Sequence, residues 1–197
     1  NKETGQFRYY FGEGDSLAIP RIRVLFQRTA NSFYLGSDDG LYTFNTTTEE
    51  CLPTDDKQAK ESIYACYQDR EGGIWIGTYF SGASYLSPKH KDIEWYYPNG
   101  TENSLSGNVI SQFCEDANGN IWIATEDGGL NVFDPRTKKF RNHLLGGHTP
   151  KNIGYHNIHA LLYDKGNLWI GSFSKGLYIL NIETGKTKNY RHNRANS

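Results

Sequence analysis

The sequence predicts an all-β fold, a β-propeller fragment of four blades in which each blade is a four-stranded antiparallel sheet. The first observation is a phrase that recurs along the chain: NSFYLGS at 31–37, GGIWIGT at 72–78, GNIWIAT at 119–125 and GNLWIGS at 166–172. The second is that the predicted strands of each repeat run from most apolar to most polar. Self-similarity at a fixed period is typical of repeated units that bury their apolar faces against one another.

The third repeat shows the predicted strands most clearly. Residues 108–116 are rich in apolar side chains, and residues 121–125 are apolar at consecutive positions, whereas residues 139–143 are mostly polar. Two packed sheets would alternate apolar and polar residues along nearly every strand. A propeller blade instead places its inner strands between neighbouring blades and leaves its outer strand to water. The gradient therefore favours a propeller over a sandwich.

The number of outer strands predicts an open arc of blades. Four sets of inner strands are accompanied by five segments that resemble outer strands: 7–11, 49–52, 93–97, 139–144 and 187–191. We divide one propeller domain into an outer strand of a preceding blade with its linker, and four blades: 1–19, 20–52, 53–97, 98–144 and 145–197. We therefore expect a fragment of a larger propeller, with an apolar face at each end that promotes head-to-tail self-association.

Residues shared by the repeats are predicted to be structural. They are the aromatic residues of the recurring phrase, the aspartates before it and the glycines seven residues after each tryptophan: Tyr34, Trp75, Trp122, Trp169, Asp69, Asp116, Asp164, Gly82, Gly129 and Gly176. We expect the aromatic rings to fill the space between blades and the aspartates to accept N–H bonds within turns. The first repeat departs from the pattern, with Arg28 in the aspartate position.

Composition excludes several classes of partner. The formal net charge is −1, and the 21 basic residues are dispersed along the chain, which argues against nucleic acid as a partner. The longest apolar runs are short, so we expect no direct membrane insertion. Cys51, Cys66 and Cys114 are expected to act as small buried hydrophobic residues.

No pattern in the chain predicts catalysis, a metal or a cofactor. The sequence has no phosphate-binding loop, dinucleotide fingerprint or nucleophile elbow. His156 and His159 would point to opposite faces of a strand, and the segment 116–127 lacks the glycine and glutamate of a calcium loop. An alternative remains, because carboxylates such as Asp39 and Glu126 on facing loops suit a carbohydrate lyase or hydrolase.

The candidate ligand-binding residues lie on loops that share one face of the propeller. These loops join the second strand to the third, or lead into the innermost strand. Their side chains are not needed for packing between blades, so they are available for binding. Aromatic rings suit the apolar faces of sugars, and charged groups suit their hydroxyls. We predict ligand contacts at Arg21, Tyr79, Phe80, Glu126, Tyr155, Phe173 and Lys175. In the alternative interpretation, Tyr79, Phe80 and Phe173 cover blade junctions or contact a missing neighbour.

The third repeat resembles the two-component regulator propeller repeat. The resemblance rests on Asn103–Ile110, Glu115-Asp116, Gly119–Thr125, Gly128-Gly129-Leu130 and Phe133-Asp134-Pro135. It implies a periplasmic sensor region of a hybrid two-component histidine kinase from gut bacteria that degrade polysaccharides. Such proteins usually carry two seven-bladed propellers, a small β-sandwich, a membrane helix, a kinase and a DNA-binding module.

The resemblance implies a function of sensing without catalysis. The ligand would be an oligosaccharide or similar small molecule, and signal transduction by phosphorelay would pass through the remaining blades and domains of the parent protein. The repeat motif is scaffold, so it supplies no ligand-binding residues. A protein-interaction scaffold remains a second alternative.

Overall fold

The computed structural model describes residues 3–7, 10, 19, 21–54, 60–89, 93–143 and 157–192. These residues form four sheets, each of four antiparallel strands in chain order. The predicted all-β fold of four blades is confirmed. The described part of the chain contains no helix long and apolar enough to cross a membrane.

The sixteen strands divide evenly among the blades. Blade 1 contains β1 (Ile22–Thr29), β2 (Ser32–Ser37), β3 (Gly40–Asn45) and β4 (Cys51–Pro53). Blade 2 contains β5 (Ile63–Gln68), β6 (Ile74–Thr78), β7 (Ala83–Leu86) and β8 (Ile93–Tyr96). Blade 3 contains β9 (Ile110–Glu115), β10 (Ile121–Thr125), β11 (Gly129–Asp134) and β12 (Lys139–His143). Blade 4 contains β13 (Ile158–Asp164), β14 (Asn167–Ser172), β15 (Leu177–Asn181) and β16 (Thr187–Tyr190).

Of the predicted first outer strand, 7–11, only Phe7 and Tyr10 lie within the described residues. The Tyr10 ring contacts Phe44 edge-on at 5.0 Å between ring centroids. Ile19 packs in the same place, against the cluster formed by Leu35, Phe44 and Cys51. Tyr10 and Ile19 therefore cover part of the face of blade 1 that carries Leu35 and Phe44.

The blades stack through their innermost strands. β1 contacts β5, β5 contacts β9, and β9 contacts β13, so the four blades form one row. The side of each blade that bears the tryptophan position, here called its front face, packs on the back face of the next blade. At the junction of blades 2 and 3, Trp75 lies 5.9 Å from Phe113 and 5.4 Å from Phe133 between ring centroids.

A small residue on each front face allows the next blade to approach closely. A Cβ added at Gly36 would lie 2.7 Å from a methyl carbon of Ile63, and one added at Gly77 would lie 2.6 Å from Ile110. Both isoleucines begin the innermost strand of the following blade. At these two junctions only glycine leaves this space open, so the pairing sets the separation between the blades.

Polar contacts also tie neighbouring blades together. The backbone N–H of Arg70 donates to Glu115 Oε2 at 2.9 Å, and its guanidinium contacts the same carboxylate and donates to the carbonyl oxygens of Asp116 and Ala117. Lys138 Nζ lies 2.5 Å from Glu94 Oε1, which joins blade 3 to blade 2.

The repeated pattern of aspartate and tryptophan forms one hydrogen-bonded unit in each of blades 2 and 3. Asp69 accepts the N–H groups of Glu71 and Gly73 and the indole Nε1–H of Trp75, the last at 3.2 Å. Asp116 does the same with its own turn, and accepts the indole N–H of Trp122 at 3.0 Å. One carboxylate thus orders the turn and fixes the ring that fills the junction.

Blade 4 departs from this pattern, and the prediction for Asp164 differs from the structure. Its turn is one residue shorter, with Lys165 and Gly166 at φ 46° and 79°, as a two-residue hairpin requires. Asp164 therefore falls within the ladder, paired with Asn167, and its side chain is exposed. In blade 1, Arg28 replaces the aspartate, and its guanidinium carbon lies 5.3 Å from the centre of the Tyr34 ring.

The two aspartates provide a matched test of this unit. We expect Asp116→Ala to lower the free energy of unfolding by about 2 to 4 kcal/mol, because it leaves buried N–H donors without acceptors. Asp164→Ala, at the equivalent repeat position but exposed, should change it by less than about 0.5 kcal/mol. Urea denaturation followed by tryptophan fluorescence measures both, and equal losses would contradict the assignment.

The three cysteines are free thiols whose burial suppresses ionisation. Burial raises the pKa of Cys51 to about 11 and that of Cys66 and Cys114 to about 12. Because the thiolate is the reactive form, we expect the native chain at pH 8 to react with a disulfide reagent at least about 100-fold more slowly than the urea-unfolded chain. Each raised pKa stabilises the fold below about pH 8.5, and that contribution is lost as the pH rises toward 12. Comparable native and unfolded rates would contradict the burial.

Candidate ligand-binding site

One end of every sheet brings together the start of the innermost strand and the turn between the second and third strands. The first residue of each innermost strand pairs with the last residue of the strand beside it: Ile22 with Ser37, Ile63 with Thr78, Ile110 with Thr125, and Ile158 with Ser172. Because the blades stack in one row, these four ends lie on the same face of the arc.

A hydroxyl group closes each of the turns on this face. Thr78 Oγ1 donates to the carbonyl oxygen of Gly82 at 2.8 Å and accepts the N–H of Ser81. Thr125 and Ser172 make the same pair of bonds in blades 3 and 4. Gly82 has φ +74°, and a Cβ there would strike the carbonyl oxygen of Tyr96. The turns are therefore rigid supports for the residues that they carry.

Each innermost strand contains a β-bulge directly after its first residue. At this end of each blade the ladder skips one residue, and these four residues are Arg23, Tyr64, Ser111 and His159. A bulge leaves its extra residue outside the register of the sheet and redirects the side chain. The four blades therefore each present one such side chain at the same end of the arc.

Blades 1 and 2 join their bulge residues in an aromatic and charged group. The guanidinium of Arg23 lies over the Tyr64 ring, 4.4 Å from its centre, and bonds Asp38 at 2.5 Å. Tyr64 stacks on Tyr79 with ring centroids 4.7 Å apart, and Tyr79 contacts Phe80 edge-on at 4.3 Å. Phe80 remains 69% exposed. The result is a continuous aromatic surface beside an ion pair.

The electrostatics of this group follow from the ion pair and from burial. The hydrogen bond from Arg23 holds the pKa of Asp38 below its usual value, and the same bond raises the pKa of Arg23. Burial raises the pKa of Tyr64, the guanidinium of Arg23 lowers it, and the charges of Asp38 on blade 1 and Glu126 on blade 3 raise it.

Blades 3 and 4 form the second part of this surface. His159 Nδ1 lies 3.8 Å from Glu126 Oε1, and the His159 ring lies 5.7 Å from that of Phe173. Phe173 is 76% exposed. We call the combined surface the channel-end cluster, because it lies at the end of the innermost strands, which line the central channel of a propeller. It is defined by Arg23, Asp38, Tyr64, Tyr79, Phe80, Glu126, His159 and Phe173.

The structure brings four of the predicted ligand contacts into this cluster, namely Tyr79, Phe80, Glu126 and Phe173. Arg21 lies beside it, where its carbonyl oxygen accepts the N–H of Asp38 at 3.3 Å. Lys175 is exposed in the turn of blade 4, and its backbone bonds Ser172 and Asn189. Tyr155 lies outside the described residues. Ligand contact at all seven positions stays a prediction.

Sequence reasoning missed Arg23, Tyr64 and His159 as site residues. Their strand positions were recognised, but the bulge that sets them apart depends on the pairing of two strands and leaves no local pattern. The available signal is weaker: each follows an isoleucine, at Ile22, Ile63 and Ile158.

The cluster presents aromatic rings beside polar groups that hydrogen bonds and ion pairs hold in place. Asp39, considered with Glu126 as an acid–base pair, is held by its own blade, where it accepts the hydroxyls of Ser37 at 2.6 Å and Tyr42 at 3.1 Å. Within the described ranges, no group of three or more histidine, cysteine, aspartate or glutamate residues could hold a metal ion.

The family model described as two-component regulator propeller matches residues 58–80 and 104–127. These segments lead into β5 and β9 and end in the turns that carry Tyr79, Phe80 and Glu126. The resemblance noted in the sequence is thereby confirmed for these two segments, which match the two-component regulator propeller repeat. No curated protein matches the sequence.

Solved structures share the fold at low sequence identity. The extracellular domain of the putative hybrid two component system BT4673 from B. thetaiotaomicron has a TM-score of 0.77 and 18% identity over 92% of this chain and 23% of that one. The corresponding domain of BT3049 from the same organism gives 0.71 and 18% over 89% and 25%. A streptogramin B lyase gives 0.60 and 12% over 84% and 53%. The chain spans about a quarter of the first two structures.

The ion pair between Arg23 and Asp38 can be tested by titration. We expect Arg23→Gln to raise the pKa of the Asp38 carboxyl toward about 3.9, its value in an unfolded chain. A depressed pKa stabilises the fold above that value, and the contribution is lost as the pH falls through the folded pKa. Carboxyl carbon NMR measures the shift. Arg136→Gln is the control, because the Arg136 side chain is 77% exposed and contacts Asp134, so this substitution should leave the pKa of Asp38 unchanged. An unchanged Asp38 pKa in Arg23→Gln would refute the pairing.

Proposed function

We propose that this chain is a non-catalytic ligand-sensing segment from the extracytoplasmic, periplasmic region of a hybrid two-component regulator, and that the channel-end cluster binds an oligosaccharide. The regulator propeller repeats and the shared fold with extracellular domains of putative hybrid two component systems support the sensing role. The remaining blades and domains of a longer parent protein would receive the signal and pass it on by phosphorelay.

The observation that carries the ligand class is the stacked group of Tyr64, Tyr79 and Phe80 beside the pair of Arg23 and Asp38. Aromatic faces provide flat apolar area for the C–H groups of a sugar ring. The guanidinium has several donors and the carboxylate several acceptor positions, so the pair can bond neighbouring hydroxyls. A small carbohydrate uses both kinds of contact.

The location of the cluster suits a sensor. One part of the cluster lies at the junction of blades 1 and 2, and the other lies at the junction of blades 3 and 4. At the first junction, Ser62 of blade 2 also donates a hydrogen bond to Asp38 of blade 1 at 3.4 Å. A ligand that contacts both parts binds most tightly when the blades hold the two parts at the distance that fits it. By linkage, binding then favours that spacing over others and transmits a change along the arc.

Calorimetry against a panel of oligosaccharides tests this function. We expect one or more glycans to bind the chain, or the longer extracellular region that contains it, and Tyr79→Ala with Phe80→Ala to weaken binding at least about tenfold through the loss of stacking area.

Phe7→Ala is the matched control, because it also removes an exposed ring, 89% exposed, and should leave the affinity unchanged. Chromatography of the same glycans after incubation separates sensing from a lyase or hydrolase activity. Silence across the panel, or turnover of a glycan, would overturn the proposal.

A further inference from the structure

A cavity of about 230 Å³ lies at the junction of blades 3 and 4. The front face of blade 3 contributes Trp122, Val132 and Arg141 to its wall, and Asn120 from the preceding turn also lines it. Ile182, which follows β15, lines it from blade 4. None of these residues belongs to the channel-end cluster. The cavity is therefore a separate feature, enclosed by two adjoining blades.

The junction of blades 2 and 3 fills the corresponding space with an aromatic ring of its own. Tyr85 stands beside Trp75 in the ladder, and the two rings lie 4.8 Å apart between centroids. The Tyr85 hydroxyl makes a hydrogen bond with Asp69. Val132 has the same place beside Trp122 in blade 3, but it has no ring to extend across the junction. The valine therefore leaves open a space that a phenol ring occupies one blade earlier.

The polar end of this space also differs between the two junctions. Gly73, two residues before Trp75, makes room for the Tyr85 hydroxyl, which a Cβ at Gly73 would strike. Asn120 has this position in blade 3, and its amide nitrogen donates to both carboxylate oxygens of Asp116, at 3.2 and 2.9 Å. Its side-chain oxygen accepts no hydrogen bond from the described residues. Asn120 thus replaces the bond made by the tyrosine hydroxyl and leaves one acceptor at the cavity wall.

The cavity also carries a positive charge. Arg141 pairs with Val132 in the ladder, in the position that Glu94 occupies in blade 2. Glu94 is neutralised by Lys138, from the turn of the following blade. The residue at the place of Lys138 in blade 4 is Gly185, which has no side chain to approach Arg141. Among the described residues no carboxylate pairs with Arg141, so its guanidinium is available to an anion.

We propose that this cavity binds a small aromatic carboxylate. The ring takes the place that Tyr85 fills at the neighbouring junction and packs against Val132 and Ile182. The carboxylate bonds the guanidinium of Arg141, and a hydroxyl on the ring donates to the side-chain oxygen of Asn120. The site thus recognises both a ring and a negative charge.

The walls favour an aromatic ring over an acidic sugar. Both ligands have a carboxylate for Arg141, but a sugar would also bury several hydroxyl groups against the side chains of Val132 and Ile182, where they find no partner. An aromatic ring has no such groups on its faces. This site does not depend on the function proposed for the channel-end cluster.

Calorimetric titration of the chain with 4-hydroxybenzoate tests the site. We expect a dissociation constant of about 1 mM or lower, which a ligand of about ten non-hydrogen atoms can reach. Glucuronate should bind at least about tenfold more weakly, because its hydroxyls lose water without replacement. In NMR spectra, the indole N–H signal of Trp122 should shift during the titration, and that of Trp75, whose junction is filled by Tyr85, should not.

Removal of the charge from either partner should have the same effect. Arg141→Gln should weaken binding of 4-hydroxybenzoate at least about tenfold through loss of a charge-assisted hydrogen bond. Arg136→Gln is the matched control, because it removes an exposed guanidinium from the same blade outside the cavity. The neutral 4-hydroxybenzamide keeps the ring and the hydroxyl. It should bind the unaltered chain as weakly as 4-hydroxybenzoate binds Arg141→Gln, and Arg141→Gln should not weaken it further.

A double substitution transfers the filled junction into blade 3. Asn120→Gly with Val132→Tyr reproduces the pair of Gly73 and Tyr85, so the new ring should occupy the cavity and abolish binding. Circular dichroism checks the fold, and the Arg141 comparison holds whether or not this variant folds. Tyr79→Ala with Phe80→Ala should leave the affinity for 4-hydroxybenzoate unchanged, which separates this site from the channel-end cluster. Absence of millimolar binding, equal binding of glucuronate, an unshifted Trp122 signal, or unchanged affinity in Arg141→Gln would overturn the proposal.

Discussion

The structure depends on the close approach between the second strand of one blade and the innermost strand of the next. Gly36 and Gly77 leave the space into which Ile63 and Ile110 fit, and Ala124 faces the third junction with Ile158, both fully buried. Dispersion forces fall steeply with distance, so this approach lets the aromatic rings beside it pack without voids. This close approach determines the spacing and angle of the blades. It therefore also determines the distances between the side chains of the channel-end cluster.

The scaffold and the candidate site use different residues of the same repeat. Hydroxyl groups at Thr78, Thr125 and Ser172 fix the turns by bonding to backbone atoms, so they hold whatever side chain comes next. The following residues are Tyr79, Glu126 and Phe173, two aromatic residues and one carboxylate. Each repeat therefore keeps the turn that a hydroxyl group closes and varies the side chain that follows it. This is expected where rigid elements present binding loops.

The fold could be predicted well because the regular spacing of Trp75, Trp122 and Trp169 can be read directly from the sequence. It does not depend on how the strands pack. The prediction was weaker where one residue changes local geometry. The shorter turn before Trp169 moved Asp164 out of its expected role, although the residue type was retained. The bulges were harder still, since the displacement of Arg23 and His159 depends on how two strands pair. Lys175 shares a turn with Phe173, but its backbone hydrogen bonds go to Ser172 and Asn189, outside the cluster, which loop position alone does not reveal.

The bulges also affect how this surface can change over evolutionary time. Because Arg23, Tyr64, Ser111 and His159 stand outside the ladder, a substitution at any of them leaves the strand register intact, although Ser111 also donates to the carbonyl oxygen of Ile158 on the next blade. Each blade therefore contains a position where the side chain can change without shifting the register of its sheet. Here the four positions hold a cation, a phenol, a hydroxyl and an imidazole. Related arcs could acquire new recognition properties by changing these residues one at a time, while the architecture stays constant.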